Sequence, residues 1–191
     1  QAMRAGDRPR YRNGELLTGR TVGIHGCGNI GKEVVRLLKP FNCRILSCDL
    51  KDYSEFYIEN KITPVSFEDL LHQSEVLTLH LPKTQSTRGL YAREVLESMR
   101  PEAVLVNTCR GEIVDEEALA DRLETGALRA ACFDVFAVEP AENDRLLNLP
   151  NFLSTPHIGA STEETRVAMA QAALRGLEEN EFVVPEKFYD N

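Results

Sequence analysis

The chain has 191 residues, of which 42% are hydrophobic and 27% are charged, and this length allows one substantial domain but hardly two. Its formal net charge of −8 argues against nucleic acid and anionic membranes as partners, because both are bound by basic surfaces. No apolar stretch is long enough to cross a bilayer and no signal sequence opens the chain, so we expect a cytoplasmic protein.

Short apolar runs alternate with amphipathic segments from Thr21 onward. The predicted strands are 21–26, 44–49, 76–80, 103–107, 130–133 and 152–154. The predicted helices are 30–39, 67–72, 92–98, 115–124 and 162–178. Strands that alternate with helices pair in parallel through right-handed crossovers, which predicts an α/β fold with a doubly wound parallel sheet. We assign 18–180 to this domain, 1–17 to a polar connector and 181–191 to a C-terminal tail.

The first predicted strand runs directly into three glycines with the spacing G-x-G-x-x-G. Gly26 permits a tight turn, Gly28 lets the backbone approach a pyrophosphate, and Gly31 lets the following helix pack closely on the strand. Asp49 ends the second predicted strand, where a carboxylate would accept hydrogen bonds from the ribose hydroxyls of a dinucleotide. The pattern therefore predicts a dinucleotide site; the alternative is a glycine-rich turn that binds no ligand.

Polar clusters follow the carboxyl ends of four further predicted strands. They are 80–82, 107–111, Asp134 and 155–157. Because ligands of such sheets bind beyond the carboxyl ends of the strands, we expect all four clusters to lie along the same edge as the glycine turn.

Three residues in these clusters and the loop between them could carry chemistry. The Arg110 guanidinium can grip a carboxylate through two parallel hydrogen bonds, although an arginine paired with nearby Glu112 is the alternative. His157, in a turn fixed by a proline, can exchange a proton near neutral pH, as a carbonyl/alcohol interconversion requires. Glu139 is close enough along the chain to reach this imidazole, fix its tautomer and raise its pKa.

The cysteines and two of the histidines are expected to have structural roles. The five cysteines form no C-x-x-C pair and do not cluster with histidine, so we expect reduced thiols and no metal site. They are Cys27, Cys43, Cys48, Cys109 and Cys132. A structural role is also expected for His25 and His72.

Four segments of the sequence together resemble the D-isomer-specific 2-hydroxyacid dehydrogenase family. They are 25–31, 79–87, 106–115, and 134–157 with its continuation 159–162. The similarity covers about 17–173, nearly all of the chain. The spacing from Arg110 to Glu139, and from there to His157, also matches the catalytic set of that family.

This resemblance implies a Rossmann-type NAD-binding domain, with NAD as the cofactor and a small 2-hydroxy or 2-keto acid as the substrate. Members of the family have a second domain that is discontinuous in sequence, and we expect this substrate domain to be absent from the present chain. The family dimerises largely through its cofactor domain, so a homodimer through this domain is expected. No nucleic acid or membrane partner and no metal is expected.

The resemblance also implies roles for individual residues. Arg110 would hold the substrate carboxylate and polarise the carbonyl, while His157, paired with Glu139, would donate the proton. Asp134 would bind the nicotinamide carboxamide, and two backbone N–H groups of the glycine turn would bind the pyrophosphate. The full set expected to bind the cofactor is Gly26, Gly28, Asn29, Ile30, Gly31, Asp49, His80, Pro82, Thr87, Thr108, Cys109, Arg110, Asp134, His157 and Gly159.

Several interpretations remain open at this point. Segment 156–163 is most similar to the 3-phosphoglycerate dehydrogenases of the family, which act in serine biosynthesis, and next to its glyoxylate/hydroxypyruvate reductases. A non-catalytic NAD-sensing protein, like the corepressors of the family, is a second interpretation. A reductase that uses NADP is a third, for which Lys51 is suitably placed, but Asp49 would repel a 2′-phosphate. Glu112 departs from the family pattern and is expected to weaken the hold of Arg110 on an anion.

Overall fold

A computed structural model describes residues 14–178 of the chain. Residues 1–13 of the predicted connector and the whole predicted tail lie outside the described residues. The strands are β1 Thr21–His25, β2 Arg44–Cys48, β3 Thr63–Pro64, β4 Val76–Leu79, β5 Val104–Asn107, β6 Ala130–Phe133 and β7 Phe152–Ser154. The α-helices are α1 Asn29–Leu38, α2 Ser54–Asn60, α3 Phe67–Gln73, α4 Arg93–Ser98, α5 Glu116–Glu124, α6 Asp144–Leu147 and α7 Glu163–Glu178. Short 3-10 turns occupy Lys39–Phe41 and Gly111–Ile113.

The seven strands form one parallel sheet in the order β3-β2-β1-β4-β5-β6-β7. From β1 the chain adds β2 and β3 on one side. It then crosses back to add β4, β5, β6 and β7 on the other side, so the strand order reverses between β1 and β4. This is the doubly wound topology of a Rossmann-type domain, and the predicted fold class is confirmed. The reversal leaves a crevice outside the carboxyl ends of these two strands, directly above the glycine turn.

The core explains why the strands read as continuous apolar runs. Strands covered by helices on both faces bury every side chain, whichever way it points. Ile24 on β1 and Leu77 and Leu79 on β4 are accordingly fully buried. A smaller cluster that includes Val35 and Tyr57 lies under α1 and α2, and a larger one lies under α3, α4, α5 and α6.

Three short elements were not predicted from the sequence. They are β3, α2 and α6. β3 has two residues, one of them a proline, and α6 is a single turn of four, so neither is long enough to show a periodic pattern. α2 has seven residues, and its N-cap position is Tyr53, which is not a residue type that predicts the start of a helix. The other predicted elements agree with the structure to within one residue at each end.

Candidate active site

The glycine turn between β1 and α1 is held by close backbone contacts. Gly26 has a φ of +92°, and a Cβ atom there would lie 2.6 Å from the His80 carbonyl oxygen. A Cβ at Gly31 would lie 2.2 Å from the carbonyl oxygen of Gly26. Side chains at these positions would push the backbone apart, so both glycines are required by the turn itself. At Gly28, by contrast, a Cβ would meet no atom within 4 Å, and this is the predicted position of a pyrophosphate.

The first turn of α1 has free donors for an anion. Gly28 occupies the N-cap position, and no side chain caps the helix. The backbone N–H groups of Asn29 and Ile30 precede the first internal hydrogen bond of the helix, which Lys32 donates to the Gly28 carbonyl oxygen at 2.9 Å. These N–H groups and the positive end of the helix dipole fit a pyrophosphate.

Asp49 lies beside the glycine turn, just beyond the end of β2. Its Oδ2 accepts a hydrogen bond from the Cys27 N–H at 2.5 Å, and its Oδ1 accepts one from the Lys51 N–H at 2.8 Å. Each carboxylate oxygen retains a further lone pair. The side chain is therefore fixed in place and still able to accept hydrogen bonds from ribose hydroxyls.

The loop after β4 is closed by hydrogen bonds among its own residues. The Thr87 hydroxyl donates to the Pro82 carbonyl oxygen at 2.7 Å and accepts from the Thr84 N–H at 2.9 Å. His80 Nε2 lies 3.1 Å from the Thr78 hydroxyl, and burial lowers the pKa of His80 to about 4. His80 is therefore neutral near pH 7, and it borders the cofactor crevice through its contact with the glycine turn.

The turn that carries Arg110 is shaped by Asn107, a fully buried residue at the end of β5. Its amide Nδ2 donates to the Arg110 carbonyl oxygen at 3.0 Å, and its Oδ1 accepts from the Cys109 N–H at 3.1 Å. Arg110 itself is exposed, and Nη1 of its guanidinium donates to the Cys109 carbonyl oxygen at 2.6 Å. Thr108 is exposed and Cys109 buried. Asn107 was not singled out from the sequence, although an amide directly after a buried strand is a usable signal.

Glu112 is paired away from Arg110. Its carboxylate contacts the Lys83 ammonium and lies 3.8 Å from the Arg88 guanidinium. The hydrogen bond from Lys83 holds the pKa of Glu112 below its usual value. Among residues 14–178 no carboxylate forms an ion pair with Arg110, so its guanidinium remains available for an anionic substrate.

Asp134 follows β6 and organises the turn that carries His157. Its Oδ1 accepts from the Thr155 hydroxyl at 2.5 Å and from the Ile158 N–H at 2.9 Å, and its Oδ2 accepts from the Gly159 N–H at 2.8 Å. Burial acts to raise the pKa of Asp134, but these hydrogen bonds outweigh it and lower the pKa. This second role of Asp134 was not predicted, because no sequence spacing indicates it.

The structure brings Glu139 and His157 together. His157 Nδ1 lies 2.7 Å from Glu139 Oε2, and Glu139 Oε1 accepts a hydrogen bond from the Phe136 N–H at 3.0 Å. The bond to His157 lowers the pKa of Glu139, which is therefore ionised near neutral pH. A carboxylate on Nδ1 selects the tautomer and orientation of the ring and leaves Nε2 to exchange a proton with a substrate.

His157 has a left-handed backbone conformation, with a φ of +52°. This conformation is uncommon for a residue with a side chain, and such residues concentrate at functional sites. A cavity of about 510 Å³ lies beside the histidine, bounded by Phe136, Leu147 and Pro156 as well as the Glu139–His157 pair. Its volume is in the range of small-molecule sites.

The remaining buried polar groups fit the structural roles predicted for them. The His25 ring lies 2.7 Å from the Tyr91 hydroxyl and stacks on Phe67, and burial lowers its pKa to about 4. The five cysteines are free thiols whose pKa values burial raises, so they stay protonated. Residues 14–178 contain no group of three potential metal ligands and no helix of the length and apolarity that a bilayer requires.

Comparison with known proteins identifies the family to which the chain belongs. Residues 1–159 match the D-isomer specific 2-hydroxyacid dehydrogenase, NAD binding domain. The chain is 39% identical to the D-3-phosphoglycerate dehydrogenase of Methanocaldococcus jannaschii over 165 residues, which are 85% of this chain and 31% of that protein. It is 40% identical to the glyoxylate reductase of Pyrococcus furiosus over 171 residues, 88% of this chain and 50% of that protein.

Solved structures show the same fold over the same part of the chain. The crystal structure of a glyoxylate reductase from Paecilomyes thermophila superposes with a TM-score of 0.87 at 36% identity, covering 93% of this chain and 54% of that one. The chain thus spans about a third to a half of the length of the curated relatives it matches. By its sequence match, its doubly wound sheet and its glycine turn, the chain belongs to the D-isomer-specific 2-hydroxyacid dehydrogenase family, of which it carries the NAD-binding domain.

Proposed function

We propose that this chain is the cofactor-binding half of an NAD-dependent oxidoreductase that interconverts a small D-2-hydroxy acid and its 2-keto acid. The Glu139–His157 pair is the observation that carries the proposal, because it supplies a positioned proton donor at the edge of the sheet where the dinucleotide site lies. Neither cofactor binding alone nor a purely structural role requires a histidine oriented in this way.

The residues divide the reaction between them. The Arg110 guanidinium holds the carboxylate of the keto acid and polarises the neighbouring carbonyl. The protonated His157 ring donates a proton from Nε2 to the carbonyl oxygen as negative charge develops there, and the Glu139 carboxylate stabilises the charged ring. Bound NADH supplies the hydride that reaches the carbonyl carbon. In the direction of oxidation, His157 takes the proton back from the hydroxyl group.

We propose that the enzyme resembles 3-phosphoglycerate dehydrogenases in its substrate and acts in serine biosynthesis. Segment 156–163 and relatives named D-3-phosphoglycerate dehydrogenase support this choice. The alternative is glyoxylate or hydroxypyruvate, because relatives named for these reductases are equally similar, at 40% identity. A non-catalytic NAD-sensing protein is the other alternative, and turnover of any of these acids would exclude it.

Calorimetric titration of the chain with NADH and NADPH tests the cofactor half directly, since the absence of tryptophan precludes energy-transfer fluorescence. We expect NADH to bind and NADPH to bind more weakly, because the carboxylate at the end of β2 repels a 2′-phosphate. No binding of either nucleotide would contradict the proposal that the isolated cofactor half is competent. Stronger binding of NADPH would contradict the proposed preference for NAD.

Replacing Asp49 by alanine is expected to narrow the preference for NADH over NADPH by about tenfold, because the repulsive charge is removed. Asp49→Asn separates charge from shape, since its amide oxygen can still accept the bond from the Cys27 N–H. Glu55→Ala, an exposed carboxylate on α2, is the matched control and should leave the ratio unchanged. An unchanged ratio in both Asp49 variants would show that another group recognises the ribose.

We further propose that the protein acts in the cytoplasm as a homodimer formed through this domain. Exposed apolar side chains on the edge strand and the last helix support the assembly. They include Leu153, Val167, Met169, Leu174 and Leu177. The reduced cysteines support a reducing compartment.

A further inference from the structure

We propose that Glu116, the first residue of α5, is a positioning residue that holds the Glu139–His157 pair in its working geometry. Glu116 touches neither the ring of His157 nor the proposed substrate position, and it acts through the backbone of the loop after β6. The inference rests on the proposed function, because it assigns a role within the same proton transfer.

Three hydrogen bonds connect α5 to the Glu139–His157 pair. Glu116 Oε1 accepts a hydrogen bond from the Ala137 N–H at 2.8 Å. The preceding residue, Phe136, donates its N–H to Glu139 Oε1 at 3.0 Å, and the other oxygen of that carboxylate faces His157 Nδ1 at 2.7 Å. Two consecutive backbone N–H groups therefore bind two carboxylates, one fixed on α5 and one directed at the imidazole.

The same loop segment also contacts the turn of Arg110. A Cβ atom at Gly111 would lie 1.8 Å from the carbonyl carbon of Phe136 and 2.3 Å from the nitrogen of Ala137. The absence of a side chain at Gly111 thus lets the two turns touch. Residues 136–137 are held by α5 on one side and by the residue after Arg110 on the other, so their position sets the spacing between Arg110 and the proton donor.

Neighbouring carboxylates on α5 have different partners. Asp115 is the N-cap of the helix and accepts a hydrogen bond from the Ala118 N–H at 3.0 Å, so Glu116 is not needed as a cap. Glu117 pairs with Asn143 at 2.8 Å and with Arg145 at 3.0 Å. Of these three carboxylates, Glu116 alone bonds to the loop backbone next to the Phe136 N–H that binds Glu139.

The exposure of Ala137 determines how the loss of its hydrogen bond to Glu116 affects stability and rate. Ala137 is exposed, so water can satisfy its N–H when the Glu116 carboxylate is removed, and the fold loses little. Water does not fix the position of the backbone, however, and a small displacement of a catalytic group costs rate out of proportion to stability. The expected effect is therefore on kcat, with the affinity for NADH preserved.

The test compares Glu116→Ala and Glu116→Gln with Glu117→Ala as the matched control on the same helical turn. We expect Glu116→Ala to lower kcat for hydroxypyruvate or phosphoglycerate about tenfold in the complete protein, with KM and the Kd of NADH changing less than about twofold. Glu116→Gln should restore the rate, because its amide oxygen can accept the bond from the Ala137 N–H. Glu117→Ala should leave kcat unchanged.

A second readout does not depend on turnover. In the present chain, ¹⁵N-edited NMR detects the Nδ1 proton of His157 bonded to Glu139, assigned through its loss in His157→Asn. We expect Glu116→Ala to broaden or remove this signal and Glu116→Gln to retain it. A signal and a kcat that Glu116→Ala leaves intact would overturn the inference, as would the absence of the signal from the unmodified chain. If the signal responds as expected but the complete protein turns over none of the acids, the proposed function fails and the positioning role of Glu116 stands.

Discussion

His157→Ala is expected to lower the rate of carbonyl reduction in the complete protein about a thousandfold, while the affinity for NADH changes less than about threefold. In the proposed mechanism the imidazole donates the proton that the carbonyl oxygen requires, and general acid catalysis contributes about 10²–10⁴ in rate. The proposed dinucleotide site consists instead of the glycine turn and Asp49. Steady-state reduction of hydroxypyruvate and calorimetry with NADH measure the two effects separately.

Two further variants distinguish a loss of the proton donor from a disturbance of the structure. Because the left-handed conformation of residue 157 is unfavourable for alanine, His157→Asn is the better-tolerated replacement and should lose the same activity. His72, an exposed residue of α3, is the matched control, and His72→Ala should retain full turnover. Turnover near the normal rate in either His157 variant would disprove the assignment of the proton donor.

Replacing two glycines of the glycine turn one at a time is expected to have different effects: one variant loses stability and the other loses affinity for the cofactor. Gly31→Ala should lower the free energy of unfolding by about 2 kcal/mol, because the new Cβ overlaps the carbonyl oxygen of Gly26. Gly28→Ala should leave that free energy within about 0.5 kcal/mol, since no atom lies near the new methyl group. The same Gly28 variant should nevertheless weaken NADH binding at least about tenfold, because the methyl group occupies the space through which a pyrophosphate approaches the backbone.

Chemical denaturation and calorimetry with NADH measure these two quantities. Gly176→Ala, in the open surroundings of α7, is the control: it should leave the affinity unchanged and raise the free energy of unfolding by up to about 1 kcal/mol, because alanine favours a helix more than glycine does. A Gly28→Ala protein that binds NADH normally would place the pyrophosphate elsewhere. A Gly31→Ala protein of undiminished stability would show that the helix can move away from the strand at no cost.

Local patterns in the sequence predicted the parts of the site that depend on neighbours in the chain. The glycine spacing predicted the turn, and the alternation of elements predicted the edge along which the polar clusters meet. The sequence predicted that Glu139 and His157 pair, but not which of their atoms are in contact. The grip of Arg110 on a carboxylate was predicted from its chemistry and its position after a strand, whereas the resemblance to a known family supplied the role of Asp134.

Of the three contacts that were not predicted, one is local and two join segments far apart in the chain. Asn107 shapes the Arg110 turn, Asp134 holds the His157 turn, and Glu116 binds the loop before Glu139. Each is a side chain bonded to backbone, and a backbone partner leaves no trace in the sequence. Glu112 is a related case, because its partner Lys83 lies in a different loop, and the expected interference with Arg110 is replaced by an ion pair.

The two aspartates that follow β2 and β6 differ in how many neighbouring groups they bind. Asp49 binds two backbone N–H groups and follows β2, which lies on the opposite side of β1 from β6 and β7, so we expect single substitutions there to change the coenzyme preference without displacing His157. Asp134 supports the turn of His157 through three hydrogen bonds, so we expect its replacement to displace His157 as well. A change of coenzyme is therefore better engineered at Asp49 than at Asp134.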